Sequence, residues 1–166
     1  MTQPVLSAEE VLAWNKQTAT RWRKLLTAHP ELLAIPCDIA GTKTVAELLQ
    51  HIVAVELRYA ERLANLPTSD YAAIPFDSVD AIYATHDRAI SIFRPLLNSD
   101  TDWTEPMDFV TRSLGPLRSD RKTVLFHALL HSIRHYAQLA SLVRKHGIDP
   151  GWPMDYLFMN AQRPPA

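Results

Sequence analysis

Four stretches of this chain repeat apolar residues every three or four positions, and each is long enough for several helical turns. That pattern restricts the fold more than any other feature, because each apolar stripe must be buried against another surface. The first stretch runs from about Ala8 to Ala28, with Val11, Trp14, Thr18, Trp22, Leu25 and Leu26 on one face. Ser7 and Glu10 form a capping box before it, and Pro30 breaks the pattern. The second runs from about Val45 to Leu66 and carries Val45, Leu48, Ile52, Val55, Tyr59, Leu63 and Leu66. Thr44 and Glu47 make another capping box, and Pro67 closes the stretch. The third runs from about Val79 to Leu97, with Asp77 or Ser78 as cap and Val79, Ile82, Tyr83, Ile90, Phe93 and Leu97 on its face. Pro95 in its last turn should kink or shorten it. The fourth runs from about Arg121 to Lys145, capped by Ser119 or Asp120 and stopped at Gly147, a good residue for the position after a helix C-cap.

The connectors agree with this. The chain has 4 Gly against 12 Pro, which favours helices joined by stiff links over a many-turned β fold. The link from Ser99 to Arg118 is long enough to cross the helices and cover one end. The tail from Asp149 to Ala166 mixes Trp152, Tyr156, Leu157, Phe158 and Met159 with prolines; it should pack as an extended cover and fray after Gln162. The expected fold is all-α: a four-helix bundle with a long connection between its third and fourth helices and an extended C-terminal tail. At 166 residues, without repeats or low-complexity tracts, the chain reads as one domain.

Composition removes several functions. The formal net charge is −1 and no basic stripe is long enough to follow a phosphate backbone, so nucleic acid is not an expected partner. No stretch approaches the ~20 apolar residues of a membrane span. Met1 to Ser7 lacks the charged and apolar regions of a signal peptide. The single cysteine, Cys37, has no internal disulfide partner and reads as a passive residue in a reducing, cytoplasmic setting.

The chemistry lies in the histidines. His127, His131 and His135 follow one another at four-residue spacing on the fourth helix. Residues i and i+4 stand one above the other on a helix face, so two such imidazoles can share one metal ion. At 100° per residue, with His131 at zero, His135 falls at about +40° and His127 at about −40°. The apolar arc of Val124, Leu125, Ala128, Leu139, Leu142 and Val143 spans roughly +20° to +120° on the same count. His135 is inside that arc, His131 at its edge and His127 outside it beside Arg134. His131 and His135 are therefore the inward-facing pair.

A metal needs at least a third protein ligand. His51, at one edge of the second helix's apolar face, is one candidate. His86, in the middle of the third helix's stripe and more buried by periodicity, is another, and spacing does not choose between them. Glu56 falls within the apolar arc of the second helix, where a carboxylate needs a partner or a function. A salt bridge to an arginine is the ordinary solution; orienting a ligand imidazole or accepting a proton from metal-bound water are the functional ones.

These motifs resemble those of the DinB family, part of the wider DinB/YfiT-like superfamily of metalloenzymes. The resemblance lies in Ala13-Trp14-Asn15-Lys16 on the first helix, in Glu47-Leu48-Leu49-Gln50-His51-Ile52 followed by Glu56 on the second, and in His127-x-x-x-His131-x-x-x-His135-Tyr136-Ala137-Gln138-Leu139 on the fourth, with Leu142-Val143-Arg144-Lys145-His146-Gly147 and Asp155-Tyr156-Leu157-Phe158 after it. Tyr136-Ala137 replaces the family's usual Arg-Gly. The resemblance implies a four-helix bundle with a metal at one end, held by His51, His131 and His135. It also implies a homodimer, for which Phe126, Leu130, Ile133 and Ala137 form a second apolar strip.

Three neutral imidazoles with open positions suit nickel or zinc, and ligand type does not separate the two. Relatives in the wider superfamily use low-molecular-weight thiols, so the resemblance implies a thiol-dependent transferase acting on a small-molecule substrate. A hydrolase using bound water fits the same residues, with Glu56 or His86 as proton carrier in either case. The alternatives are a helical bundle that binds metal or a small ligand without catalysis, and a structural dimerisation domain.

Overall fold

Each of the four apolar stretches is a helix, and local side chains set most of their ends. The computed structural model describes residues 4–111 and 114–163. Its regular elements are α1 (Ala8–Ala28), α2 (Val45–Leu63), α3 (Val79–Leu97), β1 (Pro106–Thr111), β2 (Gly115–Asp120) and α4 (Arg121–Lys145). At α1 the capping box is complete: the Glu10 amide donates to Ser7 Oγ at 3.2 Å and the Ser7 amide to Glu10 Oε2 at 2.8 Å. At α2 only half of the expected box forms. Thr44 Oγ1 accepts from the Glu47 amide, but the Glu47 carboxylate reaches one residue further back, to the Lys43 amide at 2.8 Å. Ser78 caps α3 and Asp120 caps α4.

Two helix ends differ from the sequence expectation. The second helix stops at Leu63, not Leu66. Asn65 turns into the left-handed region at φ 54°, the Leu66 amide bonds to the Glu61 carbonyl at 2.8 Å, and the Asn65 amide bonds to the Arg62 carbonyl. This is a Schellman cap with Asn in the usual glycine place, and it ends the helix before Pro67 is reached. Leu66 is consequently exposed. The same pair of bonds, from Gly147 and Ile148 back to Arg144 and Val143, ends α4 where Gly147 predicts. The third helix is not shortened by Pro95 and runs on to Leu97. The missing N–H orphans only the Ser91 carbonyl, on an exposed turn three residues before the last four.

The long connection is not a plain cross-over. Residues Pro106–Thr111 and Gly115–Asp120 pair as an antiparallel hairpin, with Met107 opposite Ser119 and Phe109 opposite Leu117. Met107 and Phe109 turn inward onto the helices, while Asp108 and Arg118 pair on the outer side through two hydrogen bonds of 2.7 and 2.8 Å. The expectation of an all-α chain is corrected to a mostly helical one with a small two-stranded sheet. An ion pair from Arg121 to Glu105, and a hydrogen bond from Arg121 to the Leu63 carbonyl, fasten the foot of the hairpin to the end of α2.

The helix α2 packs on both α3 and α4, and α1 packs on α4 and α3. Trp22, Leu49, Ile52, Tyr83 and Tyr136 fill one half of the interior; Leu57, Phe93, Leu125 and Leu129 fill the other. Each such side chain contributes about 1.5–3 kcal/mol by leaving water. The tail closes over α1, as expected, but it includes one short 3-10 turn at Tyr156–Met159. Trp152 packs edge-on against Trp22, the Trp14 indole donates to the Met154 carbonyl, and Tyr156 reaches Glu10. The expected fraying falls largely on residues 164–166, outside the described ones. Among the described residues, no helix is long and apolar enough to cross a membrane.

Candidate metal centre

Packing α2 against α4 brings His51 onto the same spot as the histidine pair of α4. His51 Nε2 lies 3.1 Å from His131 Nε2, which lies 3.1 Å from His135 Nε2. The ligand atoms of all three residues fall within 4.8 Å of one another. His131 and His135 are buried, His51 is half-buried, and His127 is exposed, as the angular count on α4 predicts. His86 is more buried than His51, also as predicted, but it belongs to a different cluster.

Protonation at this spot follows from the partners. His135 Nδ1 is 2.7 Å from Gln138 Oε1. A carbonyl oxygen only accepts, so Nδ1 carries the proton and Nε2 presents a lone pair to the centre. The Arg134 guanidinium, which only donates, bonds to that same Nε2 at 3.0 Å and agrees with this tautomer. Burial and the neighbouring His135, His51, His127 and Arg134 push His131 down to about 2. Burial first, then Arg134, also holds His135 and His127 below the ordinary histidine range. The imidazoles of α4 are therefore neutral near pH 7.

A divalent cation fits this donor set. Buried His131 Nδ1 has no hydrogen-bond partner, and its Nε2 faces two other ring nitrogens, of which at least His135's is a lone pair. Imidazole nitrogens about 2.0–2.1 Å from a tetrahedral ion stand about 3.3 Å apart, close to the spacing of His131 from its two neighbours. The Arg134 N–H that takes the His135 Nε2 lone pair would have to give way to the ion.

Glu56 and His86 form a second buried cluster. His86 Nδ1 donates to Glu56 Oε2 at 2.7 Å, and Asn15 Nδ2 donates to Glu56 Oε1 at 2.8 Å. Both are sealed from solvent. Burial opposes the charge on each, but His86, Ser132 and Asn15 outweigh it for Glu56, which is held below the usual carboxylate range. The charge of Glu56 in turn raises His86 against its own burial. The ordinary expectation of an arginine partner for Glu56 is thus corrected: the partner is an imidazole, because α3 places His86 against it. Beside this pair the Tyr83 and Tyr136 hydroxyls approach one another, yet neither makes a well-formed hydrogen bond, and burial raises both phenols.

Beside the three histidines opens a cavity of about 840 Å³ between α2, α4 and the hairpin. His51, His127 and His131 line it; Glu56 and His86 do not. Three contributors were not assigned a role from the sequence. Gln138 stands three residues from His135 on one helix face, a spacing that announces such contacts. Asn15 interrupts the apolar face of α1 between Val11 and Thr18, the mark of a satisfied polar group in a core. The hairpin had only the alternation of Met107 and Phe109 and the turn-forming Gly115-Pro116 to signal it.

Comparison with curated proteins finds no match to this chain. The family model described as the DinB family matches residues 1–164, which takes in both the α2 segment with His51 and the whole histidine helix. By that match over nearly its full length, the chain belongs to the DinB family.

Proposed function

We propose that this protein is a metal-dependent enzyme in which His51, His131 and His135 hold a divalent ion, nickel or zinc, at one end of a four-helix bundle. The convergence of three ring nitrogens, with the proton of His135 committed to Gln138, is the observation that carries this proposal. An ion held by three neutral imidazoles would acidify a low-molecular-weight thiol or a water, supplying a nucleophile at neutral pH for an S-transferase or a hydrolase. Gln138 orients His135 and keeps its Nε2 turned to the centre. The cavity under the hairpin would give a small-molecule substrate access to His51 and His131. Since neither Glu56 nor His86 lines that cavity, we assign them the part of a buried proton-carrying pair behind the site. A cytoplasmic setting and a homodimer joined through the Leu130 face of α4 belong to the same proposal.

The test is metal content by elemental analysis of untagged protein, beside a His51→Ala/His131→Ala double variant. About one nickel or zinc per chain, lost in the variant, is the expected result. No metal in either protein after incubation with both ions would sink the enzyme. With metal confirmed, His131→Ala should also abolish turnover in thiol-transfer and ester-hydrolysis screens while the helical circular dichroism is kept.

A further inference from the structure

The cavity beside the three histidines is lined by arginines and by no carboxylate. Arg58, Arg62 and Arg134 all face it, from α2 and α4, while no aspartate or glutamate does among the described residues. A fourth arginine of the lining, Arg118, is neutralised by Asp108 at 2.7 Å. No comparable ion pair serves Arg58, Arg62 or Arg134 among the described residues.

This arrangement is costly for the protein by itself. Arg58 and Arg62 are one helical turn apart, and like charges at that spacing repel. Arg58 Nε is buried without a hydrogen-bond partner. Arg62 spends its charge on weak partners, the Tyr59 ring at 5.2 Å and the Val110 carbonyl at 3.4 Å. Phe109, Val110 and Leu117 of the hairpin supply an apolar wall. A guanidinium fork is shaped for planar or tetrahedral oxyanions, and an apolar wall excludes the water that would otherwise weaken the contact.

We propose that the cavity binds a small organic anion, its carboxylate or phosphate held by Arg58 and Arg62 and its apolar body against the hairpin, so that the molecule reaches the three-histidine centre. The substrate class this adds rests on the function proposed above, but anion binding itself does not require the metal.

The experiment is calorimetric titration of the full chain, after chelation and again after zinc loading, with 2-naphthoate, 2-naphthyl phosphate and the neutral 2-naphthamide. The expected result is that one or both anions bind at least about tenfold tighter than the amide with or without zinc. In Arg58→Gln/Arg62→Gln the gap should fall below about threefold while zinc stoichiometry and helical circular dichroism are kept. An Arg144→Gln/Lys145→Gln control, with the same charge change at the far end of α4, should keep the full gap. The two single variants, each with a partial loss, replace the double one if it does not fold. The proposal is overturned if neither anion outbinds the amide, or if the gap persists without the two arginines. Carboxylate and phosphate are told apart by which anion binds tighter. Anion preference without zinc uptake sinks the metal centre alone, and zinc uptake without anion preference sinks this proposal alone.

Discussion

His86 Nδ1 lies 2.7 Å from Glu56 Oε2, and both side chains are shut away from solvent between α2 and α3. The pair stabilises the fold in a pH-dependent way, and the sign follows from the two shifts. Glu56 is held below its unfolded value, so its contribution is present above the ordinary carboxylate range and is lost as pH falls through its folded value. His86 is raised, so its contribution is complete below the ordinary histidine range and is lost as pH rises through its folded value. The pair's own contribution, read as the difference in urea-unfolding stability between the wild type and Glu56→Gln, should therefore be greatest near pH 5–6 and fall on both sides. The depressed imidazoles of α4 meanwhile cost the whole chain stability as pH falls below the ordinary histidine range. In Glu56→Gln the overall stability should drop by about 3–5 kcal/mol, since one buried charge loses its partner, and the alkaline limb due to His86 should flatten. An alkaline limb identical to that of the wild type would remove the pair from this role.

Asn15 joins three helices through two donors from one amide, to Glu56 Oε1 at 2.8 Å and to the Leu129 carbonyl at 3.3 Å. Asn15→Leu keeps the branched outline but removes the Asn15 donor from Glu56 Oε1 and the second bond to the Leu129 carbonyl, which retains only its helical one. A loss of about 1–3 kcal/mol is expected by chemical denaturation. A loss below about 0.5 kcal/mol would mean that these acceptors find other donors.

Gln138 touches the metal centre only through His135 Nδ1. Gln138→Ala should leave the fold intact and weaken zinc about 10- to 100-fold, read by competition with a fluorescent chelator. Gln138→Glu, which also accepts from Nδ1, should restore most of the affinity. Equal affinities in all three proteins would show that His135 needs no orienting partner.

Leu130 is 42% exposed on α4, while Ile133 in the same strip is buried within the chain and Phe126 is half-buried. The strip therefore offers less free apolar surface than its sequence suggests, and Leu130 is its main exposed member. Sedimentation should show a dimer for the wild type and a monomer for Leu130→Glu. A dimer in both would move the contact elsewhere on the molecule.

The sequence alone determined what depends on near neighbours. Helical periodicity, the Ser7 cap, the caps of α3 and α4 to within one residue, the Gly147 stop and the facing of His131 and His135 are all set within one or two helical turns. The Asn65 stop is equally local, yet it was read three residues late because asparagine is a weaker signal than glycine for a left-handed residue. Periodicity says which face of a helix is buried but not which helix covers it. Spacing therefore left His51 and His86 open as third ligand, and only the resemblance chose between them. The tertiary packing of α2 against both α3 and α4 sends His51 to the histidine pair and Glu56 to His86, residues 80 and 30 positions apart in the chain. It also draws Arg58, Arg62 and Arg134 around one cavity under a hairpin whose pairing depends on contact between strands and on burial against the helices. Charges on separate helices carry no mutual pattern in one dimension; they become a site when hydrophobic burial fixes which surfaces meet.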